Sequence, residues 1–127
     1  MWRSLARKTD FQRVYEEGVK RVGRLLVVYL LPADDWARAV VASRKVGGAV
    51  QRNRTKRLLR EALRTGSLAS PDQVMGVRTR FFPEPGPAGA ADGRDGEGLW
   101  VVLVARRAML EASSREVRAE LDQLLDH

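Results

Sequence analysis

The chain has 127 residues, of which 44% are apolar and 31% charged, enough for one compact domain, residues 1–127, with a modest core. Cysteine is absent and the one histidine is His127, which excludes disulfides and thiolate metal sites and argues against a catalytic triad or a histidine general base. The 23 Lys and Arg against 16 Asp and Glu give +7, unevenly spread: residues 1–66 hold 16 basic and 6 acidic side chains (+10) and residues 67–127 hold 7 and 10 (−3), the footprint of a polyanion partner or of a merely solvated basic face.

In chain order, TDFQRVYEEG reads as a short helix capped by Thr9, with Gln12 completing a capping box and Gly18 ending it. Phe11, Val14 and Tyr15 then share a face. RLLVVYLLP and ARAVVAS are rich in β-branched residues and separated by ADDW, so they read as neighbouring antiparallel strands, the first closed by Pro32.

KVGGAVQRNRTKRLLREALR follows, and its pattern is helical. Leu58, Leu59, Ala62 and Leu63 form an apolar arc, Arg52, Lys56, Arg60 and Arg64 recur at i, i+4 along its edge, and Asn53 and Arg57 run parallel. Gly47 and Gly48 suit a tight turn into this helix and a close approach of backbone to a partner. From Thr65 to Gly98 the periodicity fails, and FFPEPGPAGAADGRDGEG is too dense in Pro, Gly and Asp to bury a core, so a Pro/Gly-rich loop or insertion is expected at about 67–98. LWVVLVA is apolar on both faces and reads as a central strand. SSREVRAELDQLLDH opens with a Ser113/Glu116 capping box and repeats Val117, Leu121 and Leu124 at helical spacing.

Like charges at i, i+4 repel by a few tenths of a kcal/mol per pair, and only Glu61 offers local relief. Anions from outside must compensate, and nucleic-acid phosphates suit a ladder of forked Arg donors. The face carries few side chains that discriminate base edges, which favours backbone contact over sequence readout.

Residues 43–60, SRKVGGAVQRNRTKRLLR, closely resemble the signature of the bacterial ribonuclease P protein subunit, whose hallmark is Arg-Asn-Arg followed by further basic residues. FQRVYEEG, RLLVVY and the late VVLVAR before a final helix fall in the family's order, so the resemblance covers most of the chain outside residues 65–98. It implies a small α/β (α+β) two-layer sandwich, with about four strands in a mixed sheet and three helices in the order α-β-β-β-α-β-α. A left-handed β-α-β crossover is part of that implication, against the right-handed default.

The resemblance also implies a function. The family's catalyst is its RNA subunit, which uses Mg²⁺ to remove the 5′ leader of precursor tRNA, while the protein binds that RNA and the leader and contributes no catalytic residue. Carried over by position, the RNA-contacting motif falls on Lys45, Gly47, Ala49, Arg52, Asn53, Arg54, Lys56, Arg57 and Arg60, and the leader groove on Phe11, Tyr15 and Tyr29. On pattern alone Phe11 and Tyr15 read equally as core, and Tyr29 fits both roles; Lys20, Arg21 and Arg24 lie at the groove's edge or in a solvated loop. Two departures from the family stand out: the long 67–98 segment, and Ala105-Arg106-Arg107-Ala108 where a proline commonly follows Ala-Arg.

Two other readings compete. A structural or ribosomal RNA-binding protein would share the basic helix without a leader groove, and a self-sufficient nuclease would draw metal ligands from Asp34, Asp35 and Glu61. LLVVYLL and LWVVLVA are too short to span a bilayer, and MWRSLARKTD lacks the apolar centre of a signal peptide, so a soluble, unprocessed cytoplasmic protein with no membrane partner is expected, with self-association left open.

Overall fold

The computed structural model describes residues 2–83 and 98–126. Strand β1 (Arg3–Ser4) precedes helix α1 (Lys8–Glu17), strands β2 (Val19–Val22), β3 (Leu26–Ala33) and β4 (Trp36–Val41), and helices α2 (Ala49–Thr65) and α3 (Pro71–Phe81). Strand β5 (Gly98–Ala105), a 3-10 turn (Arg107–Glu111) and helix α4 (Ser114–Leu124) complete the fold. The expected mixed α+β order is present, with two additions, β1 and α3, that make five strands and four helices among the described residues.

The sheet runs β1-β4-β5-β3-β2, with β5 antiparallel to β3 and parallel to β4. β3 and β4 are therefore not paired neighbours as the sequence suggested. β5 enters between them because it is apolar on both faces: Leu99, Val101 and Leu103 face one side, Trp100 and Val102 the other, and all are buried. The entry point is tight, since a Cβ on Gly98 would overlap the backbone of Asp35 in the β3–β4 link. Pro32 lies inside β3, opposite Leu99, rather than closing it.

One face of the sheet, with Leu26, Val28, Leu30, Leu99, Val101 and Leu103, packs against Leu59 and Leu63 of α2, Val74 and Val77 of α3, and Val117 and Leu121 of α4. The other face buries Leu31, Ala37, Trp100 and Val102 with Leu5 and Val14. There α1 covers only part of the sheet, so Val27, Tyr29, Ala39, Val41 and Val104 stay half-buried.

Local chemistry sets the helix ends. The α1 N-cap is Arg7, with no side-chain cap, so Thr9 lies inside the helix and does not cap it. Gly18 ends α1, where a Cβ would crowd the carbonyls of Val14 and Leu30 at 2.5 and 2.9 Å. Gly47 has φ +150°, a conformation that favours glycine, and Gln51 Oε1 accepts the Gly48 N–H at 2.8 Å at the start of α2. The Ser113/Glu116 capping box forms as expected, with both bonds at 3.2 Å. Within the expected 67–98 loop, residues 71–81 are instead helical. Ser70 caps α3, Pro71 occupies its first turn, and Val74 and Val77 give it a buried stripe too short to stand out in the sequence. The Pro/Gly-rich residues 84–97 and His127 lie outside the described residues.

After β5, the Arg106 N–H donates to Leu25 O at 2.9 Å and its Nη1 to Gly23 O at 2.8 Å, so the turn that lacks the family's proline is pinned to the β2–β3 link. Glu120 holds the same link from α4, accepting from the N–H groups of Arg24, Leu25 and Leu26 at 3.0, 2.7 and 3.0 Å. Glu120→Ala strands donors that are partly withdrawn from water; a loss of about 2–3 kcal/mol in denaturant unfolding is expected, and a variant as stable as the parent would contradict this role.

Asp35 ties β1 to the sheet. It accepts from Arg3 Nε at 2.5 Å and from the Trp100 indole N–H at 2.7 Å. The Arg3 bond, with help from Trp100, holds the Asp35 carboxyl below its ordinary value against the opposing effect of burial. A depressed carboxyl stabilises the fold above its unfolded value and loses that contribution as pH falls through the folded one. Asp35→Asn should cost about 1 kcal/mol at pH 7, the exposure of the pair limiting its worth, with the gap from the parent closing below about pH 4. Thermal melts at both pH values check this; a gap unchanged in acid would contradict it.

Candidate nucleic-acid interface

Helix α2 turns its apolar arc inward, with Thr55, Leu59, Ala62 and Leu63 buried, which leaves the polar arc outward. Asn53, Arg54, Arg57 and Arg60 are exposed, Arg52 and Lys56 are half-buried at the border, and Lys45 and Ala49 are exposed beside the Gly47 turn. All nine residues of the proposed motif thus lie on or just before one helix. They are not equally free. Arg54 Nη2 donates to Ala112 O at 3.1 Å, anchoring the helix to the α4 junction, and Arg52 Nε is buried without a hydrogen-bond partner among the described residues.

Glu61, the only acidic residue of α2, is engaged by Arg64 Nη2 at 2.6 and 2.7 Å. Among the described residues, Lys56, Arg57 and Arg60 have no carboxylate within ion-pair distance. The helix therefore presents uncompensated positive charge at spacings fixed by its pitch, a surface suited to successive phosphates.

The aromatic residues assemble on the other face of the sheet. Val14 takes the buried position of α1, so Phe11 is half-buried and Tyr15 is 40% exposed. Phe11 and Tyr15 lie 6.2 Å apart between ring centroids, and Tyr15 meets Tyr29 edge-on at 4.8 Å. Burial, with Tyr29 adding to it, lifts the Tyr15 phenol above its ordinary value, so it stays a neutral hydroxyl at physiological pH. The three rings border the half-buried strip formed by Val27, Ala39, Val41 and Val104, an open apolar floor with π surface at its side.

The flanking cations divide between the faces. Lys20 pairs with Tyr29 across β2 and β3 and its ammonium sits 5.8 Å from that ring, at the groove. Arg21, one residue on, faces the opposite side and lies 5.2 Å from the Phe81 ring, while Arg24 approaches Glu116 at 4.0 Å. Arg38 of β4 was not singled out by sequence; an isolated arginine in an apolar strand gives no pattern, yet it lies on the α2 side of the sheet edge, 5.4 Å from the Trp2 ring.

Asp34, Asp35 and Glu61 are not brought together as metal ligands. Asp35 is held by Arg3 and Trp100 and Glu61 by Arg64, and among the described residues no three Asp, Glu, His or Cys side chains converge as metal ligands would. Nor is any described helix long and apolar enough to cross a membrane.

Comparison with known proteins agrees with this geometry. The family model for ribonuclease P matches residues 2–81, a span holding both the basic helix and the aromatic cluster. The ribonuclease P protein component of Symbiobacterium thermophilum is 30% identical over 125 residues, covering 96% of this chain and 87% of that protein. That of Coprothermobacter proteolyticus is 51% identical over 55 residues, 43% of this chain and 46% of that protein, and that of Dehalococcoides mccartyi strain 195 is 44% identical over 66 residues, 50% and 55%. For these last two, the chain spans about half the relative's length. The ribonuclease P protein of Thermotoga maritima shares the fold with a TM-score of 0.64 at 23% identity, covering 97% of this chain and 94% of that one; the Staphylococcus aureus protein gives 0.63 at 21%, covering 96% and 91%. With the signature helix, the sheet order and a family match over most of the described residues in agreement, the chain belongs to the ribonuclease P protein component family.

Proposed function

We propose that this chain is the accessory subunit of a ribonucleoprotein endonuclease that removes the 5′ leader of precursor tRNA, with α2 bound to the catalytic RNA subunit and the aromatic groove bound to the leader. The observation that carries this reading is the pairing of two unlike surfaces on opposite faces of one sheet: an uncompensated basic helix and an open apolar groove bordered by Phe11, Tyr15 and Tyr29. A duplex or folded RNA suits the first, because helix-spaced Arg and Lys meet successive backbone phosphates. Single-stranded RNA suits the second, because unstacked bases need π and apolar surface.

On this reading hydrolysis belongs to the RNA subunit, to which bound Mg²⁺ supplies its Lewis acidity. The chain raises substrate affinity by holding the leader while α2 holds the catalyst, an assembly placed in the cytoplasm. A structural RNA-binding role would use α2 alone and leave the groove without a ligand.

Leader cleavage at low Mg²⁺ should require both the cognate RNA subunit and this protein, each being inactive or weak alone; an RNA activity unchanged by the protein would favour the structural role. Tyr15→Ala should weaken binding of leader-bearing precursor tRNA to the assembled enzyme by about tenfold, at roughly 1–3 kcal/mol per stacked base, and leave mature tRNA unaffected. Equal losses for both would place Tyr15 in the core instead. Replacing Lys45 and Lys56 together by Ala should make the slope of log affinity for the RNA subunit on log salt less negative by about 1.5. An unaltered slope would remove these two residues from the interface.

A further inference from the structure

The edge strands β1 and β4 and the outer side of α2 enclose a cleft of about 550 Å³ that the nine-residue motif does not describe. Ser4, Arg38, Arg57, Arg60, Glu61 and Arg64 line it. Four arginines face one carboxylate there, and that carboxylate is taken up by Arg64. Arg38, Arg57 and Arg60 are left without an ion pair among the described residues.

Arg38 is the unexpected member. It points from β4 toward the helices, pairing in register with Val101, on the face otherwise given to the main core. It is half-buried, and burial lowers its proton affinity from the ordinary value, although a guanidinium stays charged in proteins. A cation drawn partly out of water needs compensation, and among the described residues the fold provides π density alone: its guanidinium carbon lies 5.4 Å from the Trp2 ring. Trp2 is itself braced edge-on by Trp36 at 5.5 Å, and both rings pack against the main core. The stack fixes where the planar fork sits and leaves its N–H donors to an external acceptor.

We propose that this cleft binds a backbone phosphodiester of the RNA subunit, with Arg38, Arg57 and Arg60 as its ligands and Trp2 as the residue that positions Arg38. The volume falls in the range of small-ligand sites, roughly 300–1,000 Å³, which admits a phosphate with its sugar and excludes the body of a duplex. The phosphate therefore comes from a strand that leaves the helix running along α2. The RNA subunit is the occupant because Arg57 and Arg60 belong at once to the cleft and to the α2 face, whereas the aromatic groove lies on the other side of the sheet.

The assignment rests on the proposed function, and the test separates the two. Binding of the full chain to the cognate RNA subunit is measured for the parent, Arg38→Gln and Arg38→Met, the methionine keeping apolar bulk against Trp2. Each variant should bind about tenfold more weakly, with a salt slope less negative by about 0.7–0.9, and should keep the parent's preference for leader-bearing over mature tRNA. Phosphate-ethylation interference on the RNA should show one position whose effect disappears in both variants. Trp2→Ala should weaken RNA binding in the parent and have no further effect in the Arg38→Met background, the signature of acting through Arg38.

If the parent chain fails to bind the RNA subunit, the proposed function falls. If it binds and either Arg38 variant binds equally well with an equal slope, the cleft assignment alone is overturned. It is likewise overturned if the loss is confined to precursor tRNA, and a Trp2→Ala effect that persists in Arg38→Met removes Trp2 from its positioning role.

Discussion

The placement of β5 between β3 and β4 is the constraint on which the molecule depends. A strand apolar on both faces must be covered on both, so the sheet needs layers above and below it. Three helices supply one layer and α1 supplies the other only in part, because ten residues cannot cover a sheet of this width. Among the described residues, the uncovered remainder is the open groove. Both candidate surfaces thus follow from one packing requirement: the basic helix is the outside of the full layer, and the groove is the gap in the partial one.

Helix α2 shows how the packing supports charge. Its cations would weaken it in isolation, and its first turn holds no acidic residue. The fold offsets this with buried Leu59, Ala62 and Leu63, the Gln51 bond to Gly48, and the anchoring of Arg54 to Ala112. Each buried leucine contributes about 1.5–3 kcal/mol, several times the repulsion of any one i, i+4 pair. Tertiary burial therefore lets the outer face keep its charge, and the helix's one carboxylate, Glu61, pairs at the trailing end with Arg64.

Much of this was legible in the sequence, and the limits have physical causes. The basic helix, the central strand and the last helix announced themselves because periodicity, burial on both faces and a Ser-x-x-Glu cap are local signals. The pairing of β3 with β5 rather than β4 is a long-range choice, and no local signal carries it. Helix α3 was hidden because only Val74 and Val77 mark its buried side within a run of Gly, Arg and Thr. The Thr9 cap was misplaced by two residues because Arg7 precedes the helix without any side-chain bond. Phe11 and Tyr15 could not be assigned from spacing alone: Val14 takes the core position on the same helix face, and only the assembled sheet reveals which of the three stays inside. Arg38 and Trp2 lie far apart in the chain and meet only through the β1–β4 pairing.

The two surfaces are separated by about the thickness of a sheet-to-helix layer and one helix, on the order of 20 Å. A single rigid duplex lying on α2 cannot also reach the aromatic groove, so on the proposed function the protein spans two nucleic-acid segments and fixes their separation. The rigid sheet sets that distance, and the edge at β1 and β4 is one route around which a strand can pass from one face to the other. Arg3 and Arg38 stand on opposite faces of that edge, β1 pairing Arg3 with Ala37 and Ser4 with Arg38. Arg3 is neutralised by Asp35 and serves the fold, whereas Arg38 has no such partner among the described residues. The same short strand thus separates a cation that closes the structure from one left open to a ligand.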